Sequence, residues 1–318
     1  YNLREFGTSG VTEMAVAVAN GIATLKEMIR RGYEVDSVAD RLAFFWSPAS
    51  DFFEEVARLR AVRRLWYKIM KRRFQAKSPR SMWMRCHVQT SGVSLVRQEP
   101  LNNVIRAAYH ALSAVLGGAQ SLHVDSYDEA YSVPTEEAAL LSLRTQQILQ
   151  EETGIIDVVD PLGGAYYIET LTSDIEKRIL DEVDEIERAG GYVSAIESGQ
   201  LHRKISSYFY NQQKEIEKGD IKIVAYNKYK SEAAPPPINV FRYPEGVEER
   251  QREKLARLRQ SRDNERVGVA LTALGDACKK GINILPYSVA CARVRCTEGE
   301  LFKVFKESFG LWKPPAFW

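Results

Sequence analysis

Strands alternate with helices through the first half of the chain, and that alternation limits the available folds more than any other property. Arg41-Leu42-Ala43-Phe44-Phe45-Trp46 reads as a buried strand, and after Ser47-Pro48 a helix runs from about Asp51 to Phe74 with Phe52, Val56, Leu59, Trp66 and Ile69 inward. A mostly apolar strand over 83–89 and a helix from Pro100 to Leu116, stopped by Gly117-Gly118, make a second unit, with Pro at the first helical turn. Gln120 to Val124 and a helix from Thr135 to about Glu152, stopped by Gly154, make a third. Upstream, Val11, Met14, Val18, Ile22, Leu25 and Ile29 fall on one helical face, with Thr8 and Ser9 as caps and Gly32 as a stop. Short strand-to-helix connections predict parallel strands in an α/β layer or barrel rather than a bundle. A closed eightfold barrel needs about 250 residues and eight such units. If these units belong to a barrel, the other strands are expected on another polypeptide or on a removed N-terminal part, in keeping with the abrupt opening Tyr1-Asn2-Leu3-Arg4-Glu5.

After Pro161 the pattern changes. Gly163-Gly164 introduces a short strand-like Ala165–Glu169, followed by helices from Asp174 to Arg188 and from about Leu201 to Glu217, with Ile221–Tyr226 as one more candidate strand. Ala233-Ala234-Pro235-Pro236-Pro237 reads as a stiff linker. Beyond it lie a charged helix over Glu245–Asp263, another over Val267–Lys279, and a capping box, Thr297-Glu298-Gly299-Glu300, ahead of Leu301, Phe302, Val304 and Phe305. The expected organisation is a partial barrel over 1–160, a flanking helical extension over 161–232, and the linker with a C-terminal helical segment over 233–318.

The chemistry concentrates where strands end. In Trp83–Leu95, two-residue periodicity puts Arg85, His87 and Gln89 on one face before the chain breaks into Thr90-Ser91-Gly92. A second strand end, Ser121-Leu122-His123-Val124-Asp125-Ser126-Tyr127-Asp128-Glu129, follows about one helix later. His87, His123 and Glu129 read either as a metal site, as in a barrel metallohydrolase, or as hydrogen-bonding site residues or satisfied core histidines. Arg41 and Arg85, on adjacent strands, read as a clamp for a phosphate or carboxylate, or as structural ion-pair partners.

Net charge and cysteine spacing exclude several function classes. Arg58 to Arg80 holds ten Lys or Arg residues among Leu, Trp, Tyr and Phe, but the net charge is only +2 and the 174–187 segment is acidic. A solvated helix face is favoured over a nucleic-acid surface. No apolar run approaches the roughly 18 residues of a membrane helix. Cys86, Cys278, Cys291 and Cys296 show no Cys-x-x-Cys spacing, so reduced thiols in a cytoplasmic protein are expected, without structural zinc or a disulfide framework.

Four stretches carry a resemblance. His87-Val88-Gln89-Thr90-Ser91-Gly92, Gly117-Gly118-Ala119-Gln120-Ser121-Leu122-His123, Tyr127-Asp128-Glu129-Ala130 and Asp160-Pro161-Leu162-Gly163-Gly164-Ala165-Tyr166 resemble, in order and spacing, the methylmalonyl-CoA mutase large subunit and its relatives among adenosylcobalamin-dependent acyl-CoA mutases. Arg41–Trp46 and Asn227-Lys228-Tyr229 fit the same pattern, so the likeness covers nearly the whole chain. It implies a TIM (β/α)₈ barrel, with Tyr1-Asn2 ending the fifth strand and the three units above as the sixth to eighth. It also implies adenosylcobalamin as cofactor and a radical carbon-skeleton rearrangement of an acyl-CoA threaded along the barrel axis. The cobalt-binding motif of the Asp-x-His-x-x-Gly kind does not occur in this sequence. The implied partners are therefore a cobalamin-binding small subunit and a chain or segment supplying strands one to four, in a dimer of such assemblies, with neither nucleic acid nor membrane.

By the same resemblance, Tyr1, Asn2 and Gln89 are the implied catalytic residues. Gln120, Glu129, Val93 and His87 are implied at the cofactor, Arg41, Arg85 and Phe45 at CoA, and no residue at a metal. Three positions depart from the family. Its active-site histidine, in a Tyr-His-x-x-Glu-x-Gly motif, falls on Asn2; a serine two residues after Arg41 is Ala43; and the tryptophan after His-x-Gln-Thr-Ser-Gly is Val93. They motivate a second reading, a noncatalytic mutase-like subunit that stabilises a catalytic partner.

Overall fold

A four-residue helix, α1 (Asn2–Glu5), leads into α2 (Gly10–Arg30), whose N-terminus is capped by Ser9 Oγ accepting the Thr12 amide at 3.0 Å. Val11, Met14, Val18, Ile22 and Leu25 recur along α2 at three- and four-residue spacing and are all buried. The chain continues through α3 (Val35–Ala39), β1 (Phe44–Trp46), α4 (Phe52–Arg72, capped by Asp51), α5 (Pro79–Met82), β2 (Cys86–Gln89), α6 (Asn102–Leu116), β3 (Leu122–His123) and α7 (Glu136–Glu151, capped by Thr135). Three more helices follow: α8 (Tyr166–Arg188), α9 (Tyr192–Glu197) and α10 (Gln200–Lys218). The computed structural model describes residues 1–232 and 238–315; the expected linker over 233–237 lies outside the described residues. The chain divides into a larger unit, Tyr1–Phe241, and a smaller one, Arg242–Pro314.

The three strands form one parallel sheet in the order β1-β2-β3. Phe45 lies opposite His87, and Gln89 opposite His123. Alternation along the strands then sorts the side chains. Phe44, Trp46, Cys86 and Val88 are buried against α2 and α4, while Phe45, His87, Gln89 and His123 share the other, partly exposed face. Parallel sheets are ordinarily covered on both faces. Here the face that carries His87 and Gln89 is left partly exposed.

Behind the sheet, α8 lies across α2 and α4, and its Ile175, Ile179 and Val183 enter the same core as the strand residues. Segment 161–232 thus shares a core with the strand-bearing segment. Six of the ten cations between Arg58 and Arg80 are paired inside the chain. Arg60 pairs with Asp160 and Glu169, Arg64 and Lys68 with Glu176, Arg73 with Glu187, Arg80 with Asp40, and Arg58 with Glu13 and Glu55. Among the described residues no helix is long and apolar enough to cross a membrane.

The smaller unit comprises α11 (Val247–Ser261), α12 (Asn264–Lys279), α13 (Leu285–Arg293) and α14 (Glu298–Phe309). Leu274, Cys278 and Cys291 form its buried centre, with Leu301, Val304 and Phe305 packed on it. The capping box at Thr297 and Glu300 is present, and Glu300 also pairs with Arg262 at 2.5 Å. All four cysteines are free thiols.

Several sequence-based boundaries are corrected. Ala165–Glu169 is the cap and first turn of α8, because Ile168, Thr172, Ile175 and Ile179 continue a helical period that the aromatic and branched residues mask locally. Ile221–Tyr226 is not a strand. It makes one bridge, Val224 to Lys228, and Asn227 satisfies its backbone by accepting from Ile223 N and donating to Ile216 O and Ile221 O. Asn2 begins a helix rather than ending a strand. Arg41 and Leu42 lie in a turn bonded back to Val38 O and Ala39 O, and Arg85 precedes β2, although its carbonyl still accepts the Phe44 amide. Pro100 lies in a turn just ahead of α6. The helices α3, α5, α9 and α13 are additions to the sequence reading.

Candidate active site

At the C-terminal edge of the sheet, five side chains from three segments converge. Gln89, the last residue of β2, donates from its Nε2 to Tyr1 Oη at 2.7 Å and to Asp125 Oδ1 at 2.8 Å. Asp125 follows β3 on the same alternation that exposes His123, and its amide donates to Thr90 Oγ1 at 2.8 Å, which locks the two strand ends together. Its side chain is 1% exposed, and Oδ2 has no hydrogen-bond partner among the described residues. The His123 ring stands 3.6 Å from Oδ1.

Glu5, at the end of α1, accepts from Ser47 Oγ at 2.9 Å and from the Val93 amide at 2.8 Å. Glu129 completes the group. Its loop is held by Asp128, which accepts from Ser126 Oγ at 2.6 Å and from the Thr135 amide at 3.0 Å. The three carboxyl-bearing chains meet over Gly92. A Cβ there would stand 3.1 Å from Glu5 Oε2, 3.4 Å from Glu129 Cγ and 3.5 Å from Asp125 Oδ2. A side chain there would be crowded, and Glu5 would have to give by a few tenths of an ångström to admit one.

The electrostatics follow from burial and like charge. Burial raises the Asp125 carboxyl to about 7; the Gln89 hydrogen bond opposes the rise, and the Glu129 and Glu5 charges add to it. Burial, then Glu5 and Asp128, push Glu129 upward as well. The Tyr1 phenol is raised by burial and by Glu5, Asp125 and Glu129, so it stays a protonated donor. His123 is held toward its neutral form by burial and by His87.

A buried ion cluster supports this edge from beneath. Arg58, fully buried, reaches Glu13 Oε2 at 2.5 Å and Glu55, and donates to Ser47 O. Glu13 Oε1 accepts the Ser47 amide at 2.9 Å and stands 3.3 Å from the Tyr1 nitrogen, while Arg4 pairs with Glu55 at 3.2 Å. Tyr1, Glu5 and Ser47 are thereby tied to α2 and α4. In such clusters, loss of one partner leaves a buried charge uncompensated, at a cost of about 3–5 kcal/mol.

The remaining sequence-predicted residues are distributed along the sheet. Tyr1 stacks on Phe45 with centroids 4.5 Å apart, and Phe45 lies 4.9 Å from the His87 ring. His87 Nδ1 bonds Ser121 Oγ at 2.8 Å. Val93 gives its amide to Glu5 and leaves its side chain half exposed, and Asn2 is exposed on α1. Gln120 stands apart from this group. Its Oε1 accepts the Cys86 amide at 2.9 Å at the N-terminal end of β2. Arg41 is exposed and Arg85 faces Asp40 Oδ1 at 3.4 Å, both at that same end. Among the described residues no three His, Cys, Asp or Glu side chains are grouped so as to hold a metal ion. Sequence reasoning did not single out Glu5, Asp125 or Ser47. The two-residue step 121, 123, 125 was the available signal for Asp125, and the Glu of the Tyr-x-x-x-Glu-x-Gly pattern was the one for Glu5.

Comparison with known proteins gives the family. The family model described as methylmalonyl-CoA mutase matches residues 1–311. The chain is 39% identical over 319 residues to the 2-hydroxyisobutanoyl-CoA mutase large subunit of Aquincola tertiaricarbonis, covering 100% of this chain and 57% of that protein. It is 39% identical over 312 residues to methylmalonyl-CoA mutase of Rhizobium meliloti (98% and 44%) and 39% identical over 311 residues to the mitochondrial methylmalonyl-CoA mutase of Homo sapiens (98% and 42%). The chain spans about half the length of the curated relatives it matches. With a family model matched over almost its full length, the chain belongs to the methylmalonyl-CoA mutase family.

Proposed function

We propose that this chain is the part of a (β/α)₈ barrel carrying about the fifth to eighth strands of an acyl-CoA mutase that uses adenosylcobalamin. One observation carries the proposal. Tyr1, Gln89, Glu5, Asp125 and Glu129 converge at the C-terminal edge of a parallel sheet whose polar face is uncovered. In α/β barrels that edge is where sites are built. Closure of the face requires strands one to four from a chain or segment beyond these 318 residues, and the working particle is a dimer of such assemblies in the cytoplasm.

The acyl-CoA lies along the open face. Arg41 and Arg85 mark its N-terminal end, Phe45 and His87 its middle, and Gln89 with Tyr1 its C-terminal end. Arg85 to Gln89 spans about 13 Å along β2, too far for one small acid and suited to an elongated thioester. Tyr1 O–H, neutral and accepting from Gln89 Nε2, is free to donate a hydrogen bond to the thioester carbonyl without acid–base chemistry.

Adenosylcobalamin fits the donor set at this edge. A ligand bearing hydroxyl groups suits the acceptors Glu129, Glu5 and the unpartnered Asp125 Oδ2 over Gly92. When bound, the coenzyme supplies an organic radical from its cobalt–carbon bond. In this proposal the cobalt side belongs to a cobalamin-binding small subunit, in keeping with the lack of an Asp-x-His-x-x-Gly motif in these 318 residues. Residues of this chain hold the ribose-like portion, orient the thioester and exclude water. Gln120, bonded to β2 at the far end, acts in this scheme by holding that strand in register.

The test is cobalamin-dependent turnover of acyl-CoA substrates by the reconstituted complex. Turnover that requires both the coenzyme and this chain is the expected result. Normal assembly without turnover would replace this reading with the noncatalytic subunit that Asn2 and Val93 motivate.

A further inference from the structure

The Gln89 amide is held on one side only. Its Nε2 donates both protons, one to Tyr1 Oη at 2.7 Å and one to Asp125 Oδ1 at 2.8 Å, which leaves Oε1 directed away from both. A charged carboxylate has no proton to give, so Asp125 as carboxylate enforces this orientation. Tyr1 Oη then accepts, and its own proton is free for a ligand. If Asp125 is protonated, the alternative becomes available. Oε1 turns into the place of Nε2 and accepts from both Asp125 and Tyr1, and the amide NH₂ faces the ligand instead.

We propose that Asp125 is a positioning residue whose protonation sets the hydrogen-bond polarity that Gln89 and Tyr1 present to the open face. With Asp125 charged, the face offers a phenol donor and an amide acceptor. With it neutral, the face offers amide donors and the phenol proton is used internally. The ligand in question rests on the mutase reading above; the polarity switch itself does not.

The surroundings supply the proton balance. Tyr1 and Glu5 face Asp125 from the N-terminal segment, Gln89 from β2, His123 from β3, and Glu129 from the loop beyond, and none of these is a fixed cation. With the proton on Oδ1, the Asp125–Gln89 hydrogen bond reverses its sense rather than being lost, and the buried Oδ2, which has no partner among the described residues, holds no bond that must break. Burial and the two glutamates bring the carboxyl to about 7, and the two polarities therefore exchange near neutrality.

The experiment uses the assembled complex and its D125N, Y1F and Q89M variants, each checked for native assembly and melting. Infrared difference spectra between about pH 6 and about pH 8 are expected to show a protonated-carboxyl C=O band at the lower pH in the wild type and in Y1F, and none in D125N. Affinity for acetyl-CoA, measured calorimetrically over the same range, is expected to change about three- to tenfold in the wild type, the worth of one hydrogen bond, to keep the sign of that change in Y1F, where Gln89 still reverses, and to be flat in D125N. A band that persists in D125N, or a pH dependence of binding that D125N retains, would overturn the inference. Should D125N not assemble, a Q89M variant that keeps the wild-type pH dependence of binding would overturn it equally. Absence of acetyl-CoA binding in every form would count against the mutase reading, with the infrared comparison still deciding the switch.

Discussion

Asp125 shows how one side chain can be costly and indispensable together. Buried beside Glu5 and Glu129, its carboxyl is raised from 3.8 to about 7, so the folded state favours the neutral form relative to the unfolded chain. The sign of the linkage follows. Below about pH 4 both states are protonated and nothing is lost; as pH rises from there toward 7, ionisation favours unfolding, and the accumulated cost approaches about 4 kcal/mol above pH 7. The D125N variant is therefore expected to show a flatter dependence of unfolding free energy on pH between about 4 and 7 than the wild type, measured by denaturant titration. Equal slopes would place the proton on a neighbour instead. Gly92 is the converse case, a residue whose absent side chain leaves room where three carboxyl-bearing chains approach one another.

Among the elements, α8 does the most to hold the sheet's helical backing together. Its Ile175, Ile179 and Val183 enter the core formed by α2, α4 and the buried face of the strands, and its acidic side chains take up Arg64, Lys68 and Arg73 of the α4 stretch. The ion pairs are partly solvated and contribute little each. Apolar burial dominates, and Ile179 is fully buried. Ile179→Ala is expected to destabilise the larger unit by about 2–5 kcal/mol in denaturant unfolding, by lost transfer energy plus the cavity left behind. A loss below about 1 kcal/mol would mean that α8 closes over the gap. The register of β2 matters in a different way, because a slip of one residue would turn His87 and Gln89 into the core and bring Cys86 and Val88 to the open face.

At the level of the whole molecule, the smaller unit has a core of its own. Leu274, Cys278 and Cys291 with Leu301, Val304 and Phe305 form it, and Arg262 to Glu300 and the Thr297 capping box bind its elements together. Expressed alone, residues 242–314 are expected to give a helical circular-dichroism spectrum with a cooperative thermal transition, though a marginal one, since so small a domain buries little surface. A featureless melt would show that this core needs the rest of the chain. Local patterning carried most of the architecture. Helical periodicity marked α2, α4 and α7, two-residue alternation marked the open face of β2, and the capping box marked α14, because each depends on neighbours within a few positions. The same reasoning misread Ala165–Glu169, where short-range composition resembles a strand and only packing on α2 and α4 selects the helix. The family motifs pointed to Gln89 and Glu129, but the site is a relation among distant segments. Gln89 and Asp125 are 36 positions apart, Glu5 and Val93 are 88, and Arg58 and Glu13 are 45. No periodicity links residues so far apart. Their contacts, and the raised Asp125 carboxyl that follows from them, exist only once parallel pairing and the buried ion cluster bring those segments to one edge.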